Sequence, residues 1–199
     1  MAMEKFRRDV SVRLTSPLVQ ALAHTSITPD MLTWMGFWLT VVAGILIGTG
    51  HLFIGGWIVL VAGAFDLLDG ALARYKAKTT VFGSALDSTL DRLSEAVLLL
   101  AMMTWYVQND FGWMVIVCGG TLVCSFMVSY IRARAEGLGL VLKEGIFTRV
   151  ERVIVLSLGL LFSRWSIILI LALLIILVLS FITAGQRLFL VWQKTKKMV

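Results

Sequence analysis

The chain is poor in the residues that staple small secreted domains or hold zinc. It has 2 cysteines and 2 histidines in 199 residues. Cys118 and Cys124 both fall in an apolar stretch and read as packing residues. They offer neither a disulfide framework nor a zinc-ligand spacing. Charge is also scarce, at 15% of residues, with 12 acids against 18 Lys and Arg. No repeat and no low-complexity segment interrupts the chain. A secretory signal is not expected, because residues 1–24 are broken by Glu4, Lys5, Arg7, Arg8, Asp9 and Arg13, and no apolar core of the right length follows.

Hydrophobic residues fill the space that charge leaves. They make up 59% of the chain, and mean hydropathy is +0.91, far above a soluble globular protein. The apolar residues gather in runs long enough to cross a bilayer, which takes about 20 residues. The expected fold is an all-α integral membrane protein, one domain over residues 1–199. Six spanning helices are expected at about 31–49, 53–75, 81–107, 112–136, 149–162 and 165–192. The fifth apolar run, Val150–Phe162, is short and needs the polar residues before it. Ahead of the bundle, Phe6, Val10, Leu14, Leu18 and Leu22 recur every four residues with basic residues between them. That pattern predicts an amphipathic helix over residues 1–25, lying in the membrane interface, with Ser16-Pro17 starting a fresh turn.

The net charge of +6 does not require a nucleic-acid partner, and none is expected. With these spans, the N-terminus, the 75–81 turn, the 136–149 loop and the C-terminus share one side. Of the 18 Lys and Arg residues, only Arg164 lies on the other side. Positive charge collects on the cytoplasmic face of membrane proteins, so both termini are expected in the cytoplasm. The opposite loops, at Gly50-His51, Gln108-Asn109-Asp110 and Ser163-Arg164, are too short to hold a site.

Four carboxylates then stand out, because acids inside spans are costly and are functional candidates. Asp66 and Asp69 are i, i+3 on the second helix; Asp87 and Asp91 are i, i+4 on the third. Each pair shares a helix face. The two pairs lie at nearly equal distance from the turn near Ala77, so an antiparallel hairpin brings them to similar depth. Four negative charges cannot sit unpaired in low dielectric, and Arg74 and Arg92 do not balance them. An all-oxygen set without histidine or cysteine points to Mg²⁺ or Mn²⁺, and two such ions suit phosphoryl chemistry. Gly70, Ala71, Ala73, Gly83, Ser84 and Ala85 strip bulk from the facing helices, which permits close packing and lets a substrate reach the backbone.

Read together, these residues form Asp66-x2-Asp69-Gly70-x2-Ala73-Arg74-x8-Gly83-x3-Asp87-x3-Asp91. This resembles the signature of the CDP-alcohol phosphotransferase family at every fixed position and both gaps. The resemblance implies an enzyme that transfers the lipid phosphate of a CDP-linked donor to an alcohol, releasing CMP. It implies Asp66, Asp69, Asp87 and Asp91 as metal ligands, with Asp91 also the general base. Arg74 would contact a donor phosphate, with Gly70, Gly83 and Ser84 beside it. The segment Thr28-Pro29-Asp30-Met31-Leu32-Thr33 is an ordinary helix start on its own. It is also similar to the family segment that contacts the cytidine nucleotide, through Asp30 and Thr33 here. A homodimer is expected from the same resemblance.

The acceptor is read from arginines. Arg132, Arg134, Arg149, Arg152 and Arg187 fall near the cytoplasmic surface, and arginine suits bidentate phosphate binding. They point to an acceptor that itself carries phosphate, with positive-inside anchoring as the alternative for such residues. The pattern Ser129-Tyr130-x-Arg132-Ala133-Arg134-Ala135-Glu136, then Arg149-x-Glu151-Arg152, then Gln186-Arg187 resembles the inositol-phosphate branch of the family. The 137–145 loop adds only Lys143 as a further cation. Glycerol 3-phosphate, free inositol and serine stand as alternative acceptors. A cation transporter would use carboxylates too, but it predicts acids spread over several helices and inverted repeats.

Overall fold

The computed structural model describes residues 17–77, 80–142 and 145–196. Helix starts are set by local chemistry. Thr28 caps α1 (Pro29–Gly48), its hydroxyl accepting from the Met31 amide at 3.3 Å, with proline in the first turn and Asp30 at the positive end of the dipole. Thr80 caps α3 (Val81–Gln108) through the Gly83 amide at 2.9 Å. Thr148 and Glu151 form a capping box that opens α5 (Arg149–Leu161). Between these run α2 (Leu52–Tyr75), α4 (Gly112–Gly137) and, last, α6 (Ser166–Lys196). Residues 17–23 are also helical, and no strand occurs among the described residues. The α1–α2 turn passes through Gly50 at φ +91°, a conformation that favours glycine.

Four of these helices, α1, α2, α4 and α6, are long and apolar enough to cross a membrane. The other two are not, for different reasons. Helix α3 has 28 residues, but Asp87, Asp91, Arg92 and Glu95 crowd its first fifteen. Helix α5 has 13 residues, too few to cross alone. The last helix runs to Lys196, beyond the expected end near residue 192.

The main packing partners close a ring in the order α1–α2–α5–α6–α4–α3. Helices α3 and α5 therefore face each other across the interior without being packed side by side. At one end of the ring Ile47, Val59, Leu99, Met102, Met114, Leu160 and Leu173 form a dry core, and Cys118 lies buried in it as a packing residue. The outer surface is apolar as well, with Trp38, Ile45, Ile116 and Phe181 exposed, as lipid contact requires. A smaller cluster of Val19, Leu32 and Leu72 docks residues 17–23 onto α1 and α2. Lys76 fastens the same corner, donating to the carbonyls of Thr25 and Ile27 at 3.1 and 2.9 Å. Phe6, Val10 and Leu14, the rest of the expected amphipathic helix, lie outside the described residues.

Close helix approach rests on small residues. A Cβ at Gly56 would sit 2.9 Å from Leu160 Cβ and 3.2 Å from the Leu161 amide nitrogen, so α2 and α5 would have to part. Gly56→Ala should lower stability by about 1–3 kcal/mol, as overpacking does. Gly185→Ala on α6, where a Cβ meets nothing within 4 Å, should leave the thermal midpoint in detergent unchanged or slightly higher. Equal effects at the two sites would reject the packing argument.

Candidate active site

The acidic residues sit where α1, α2, α3 and α5 meet. Asp69 is 4% exposed and accepts a 2.7 Å hydrogen bond from the Thr33 hydroxyl of α1. Asp66, one turn back on α2, and Asp91 on α3 both reach the first residue of α5. Arg149 Nη1 lies 2.6 Å from Asp66 Oδ2 and 2.5 Å from Asp91 Oδ1. One guanidinium thus ties three helices together. The approach of α1 is as close as the side chains allow, since a Cβ at Gly36 would meet Asp66 Oδ1 at 3.2 Å.

This differs from the expectation in one respect. Among the described residues, no three histidine, cysteine or acidic side chains are grouped as a metal site requires. Like charges spread apart unless a cation lies among them, and here the cation is Arg149. The donor chemistry still fits a hard divalent ion. The donors are all oxygen, they come from two facing helices, and a positive group is already held between Asp66 and Asp91.

Two cavities open on this centre. One, of about 170 Å³, is lined by Pro29, Asp30, Thr33, Asp69, Gly70, Ala73, Arg74, Thr80, Gly83, Ser84 and Asp87. All six residues expected beside the donor line it. Its floor stays open because of Gly83, where a Cβ would meet Thr80 Oγ1 at 2.8 Å and Asp30 Oδ1 at 3.0 Å. The second cavity, of about 470 Å³, holds five arginines, Arg92, Arg132, Arg149, Arg152 and Arg187, against four acids, Asp87, Asp91, Glu95 and Glu136. Ser84 and Asp87 belong to both walls, so the cavities meet there.

The arginines of the second cavity are held in different ways. Arg187 is 4% exposed and donates through Nη1 to the Val128 carbonyl at 2.7 Å. Arg132 pairs with Glu136 at 2.9 Å on the open rim of α4. Arg152 is 3% exposed and pairs bidentately with Glu95, at 2.6 and 2.9 Å. Arg149 is engaged with the aspartates. Arg134 is exposed and does not line the cavity. It lies two residues from Arg132 on α4, about 200° around the helix, so the two cannot share a face. Lys143 lies outside the described residues.

Glu95 is the residue that the sequence reading missed. The signal was present, because Asp87, Asp91 and Glu95 continue one stripe at four-residue spacing along α3. A third, small cavity of about 30 Å³ lies deeper, with Thr40, Asp66, Ser94, Glu95, Thr121, Arg149 and Arg152 in its wall. Polar groups therefore reach further into the ring than the four aspartates alone indicate.

Comparisons with known proteins converge on one group. A family model described as CDP-alcohol phosphatidyltransferase matches residues 26–193. The chain is 37% identical to the phosphatidylinositol phosphate synthase of Mycobacteroides abscessus over 190 residues, covering 90% of this chain and 84% of that one. It is 34% identical to the archaetidylinositol phosphate synthase of Methanothermobacter thermautotrophicus, covering 95% and 94%. The crystal structure of Mycobacterium tuberculosis phosphatidylinositol phosphate synthase with CDP-DAG bound superposes with a TM-score of 0.81 at 35% identity, covering 90% of this chain and 94% of that one. The same enzyme in complex with manganese and citrate gives a TM-score of 0.81, covering 89% and 88%.

Removing Arg149 tests how the site is held. Arg149→Met leaves Asp66 and Asp91 facing each other without compensation. In metal-free protein this should cost about 3–5 kcal/mol, the usual penalty for an orphaned buried charge. Thermal unfolding in detergent measures it, and an unchanged midpoint would show that the guanidinium does not bind the helices together.

Proposed function

The chain belongs to the CDP-alcohol phosphatidyltransferase family, and on that premise we propose that it transfers the phosphatidyl group of a CDP-linked lipid to inositol phosphate, releasing CMP. The observation that carries this reading is the meeting of two unlike cavities at Ser84 and Asp87. One has a wall of small and polar residues that suits a nucleotide diphosphate. The other has an arginine-rich wall for an acceptor phosphate. The curated relatives are synthases of inositol phosphate lipids, and a structural neighbour holds CDP-DAG.

In this reading Asp30, Thr33, Gly70, Arg74, Gly83 and Ser84 seat the donor. Arg74 is exposed at the cavity mouth, where it can meet a diphosphate oxygen without first being stripped of water. Asp66, Asp69, Asp87 and Asp91 hold divalent metal, two ions of Mg²⁺ or Mn²⁺. When bound, the metal neutralises charge on the donor diphosphate and on the departing CMP. Arg132, Arg149, Arg152 and Arg187 form the acceptor wall. Asp91 lines the acceptor cavity and not the donor one, which supports a role as general base for the incoming hydroxyl. The hydroxyl oxygen bonds to the lipid-side phosphorus, its proton passes to Asp91, and the phosphorus–oxygen bond to CMP breaks. With five arginines against four acids, the acceptor wall is almost balanced. Metal charge on Asp87 and Asp91 would tip it toward binding an anion.

Membrane placement completes the reading. All six helices span, α3 shielding its charges inside the ring and α5 completing its length with the polar residues before it. Both termini and the site face the cytoplasm, where nearly all Lys and Arg residues gather. Residues 17–23 lie at the interface, and the protein works as a homodimer in the cell membrane.

A transfer assay on purified protein decides the acceptor. It offers one CDP-lipid with inositol phosphate, glycerol 3-phosphate, inositol or serine in turn. Turnover with inositol phosphate alone is expected, and preference for another alcohol would overturn the assignment. Asp91→Asn should lower kcat at least a hundredfold, in the range of a lost general base, while donor binding persists. Excess chelator should stop transfer; activity that survives it would reject the metal assignment.

A further inference from the structure

The proposed reaction leaves Glu95 without a task. Glu95 lies one turn beyond Asp91 on α3, and its carboxylate grips Arg152 through Nε at 2.6 Å and Nη2 at 2.9 Å. This pair joins α3 to α5, which face each other across the cavity and have their main packing with other helices. Arg152 is 3% exposed, and its remaining nitrogen, Nη1, is buried without a protein partner. Both residues form part of the wall of the arginine-lined cavity.

A purely structural ion pair at this depth is poorly motivated. Apolar residues of the same volume would pack the ring as well or better, and would leave no donor unsatisfied. A guanidinium clamped along one edge, with its last nitrogen unpaired, is instead a fixed phosphate donor with its geometry set in advance. Without the carboxylate, a flexible arginine chain would lose binding energy to its own ordering. It would also be drawn toward Asp91 or Asp66, which already hold the neighbouring Arg149.

We propose that Glu95 is a positioning residue for the acceptor: it fixes Arg152 in the cavity wall so that this guanidinium binds the acceptor's phosphate, and keeps it from the aspartates of the reaction centre. The inference rests on the proposed phosphorylated acceptor, and it assigns the acid on α3 that the metal and base roles leave over.

The test is a KM comparison in detergent-purified protein with CDP-lipid and inositol phosphate. Glu95→Gln should raise the acceptor KM at least tenfold and leave the donor KM within twofold. Glu95→Asp keeps the charge with a shorter reach, and should fall between wild type and Glu95→Gln; it decides the matter if the glutamine variant does not fold. The exchanged pair Glu95→Arg with Arg152→Glu restores the ion pair and should recover thermal stability. It moves the cation to the other helix, so the high acceptor KM should persist. Equal changes in both KM values, or recovery of the acceptor KM in the exchanged pair, would show that Glu95 only holds the fold. Failure of wild type to use inositol phosphate would instead overturn the proposed acceptor, so the two failures are distinguishable.

Discussion

Buried charge in an apolar bundle must be matched, and the arrangement of this molecule follows from that requirement. The surface of the ring is apolar along its span, so acids and arginines at that depth face inward. Once inside, each must find an opposite charge or a hydrogen bond. Asp66 and Asp91 share Arg149, Glu95 takes Arg152, and Asp69 takes the Thr33 hydroxyl. These contacts join helices α1, α2, α3 and α5 at one end of the ring. Dispersion and close packing around Gly56 and Leu160 do the same work toward the other end. The fold thus has one end held by van der Waals contact and one end held by electrostatics.

That division shapes what each end can do. A close-packed apolar end resists change, because cores lose stability with small volume differences. An end held by ion pairs can exchange partners without a net loss of contacts, provided another charged group replaces the one that leaves. Arg149 is the clearest case. It occupies a position between two carboxylates that a divalent cation would satisfy equally well, and it belongs to the wall of the arginine-lined cavity.

Much of this was legible in the sequence, and the limits have physical causes. The helices emerge from apolar runs and caps, with bounds within a few residues, because length and hydropathy act locally. The four aspartates could be placed at one depth because two of them precede a tight turn and two follow it at similar distance. What the sequence could not tell is which charge meets which. Arg149 and Arg152 share a face of α5, and periodicity treats them alike. Only the depth of each relative to α3 decides that one takes Asp91 and the other Glu95. Arg134 is near Arg132 in sequence, but a rotation of about 200° along α4 takes it away from the cavity wall. Helix α3 is too polar to read as a span by hydropathy because its charges lie within its first fifteen residues, although they face the inside of the ring.

The two cavities suit unlike partners. Their walls differ in the kind of group they offer, backbone and small residues around Gly70 and Gly83 on one side, arginine side chains on the other. A nucleotide diphosphate joined to lipid is large and must lie close to the helix backbones, which small residues permit. A phosphorylated sugar alcohol is compact and highly charged, and needs directed cations more than room. Asp87 and Ser84, shared by both walls, are the place where such partners would touch. An enzyme joining an uncharged alcohol to the same donor would need the first cavity and Asp91, but not the four arginines. The cost of burying Arg152 and Arg187 is therefore evidence about the acceptor, independent of the acidic motif that defines the family.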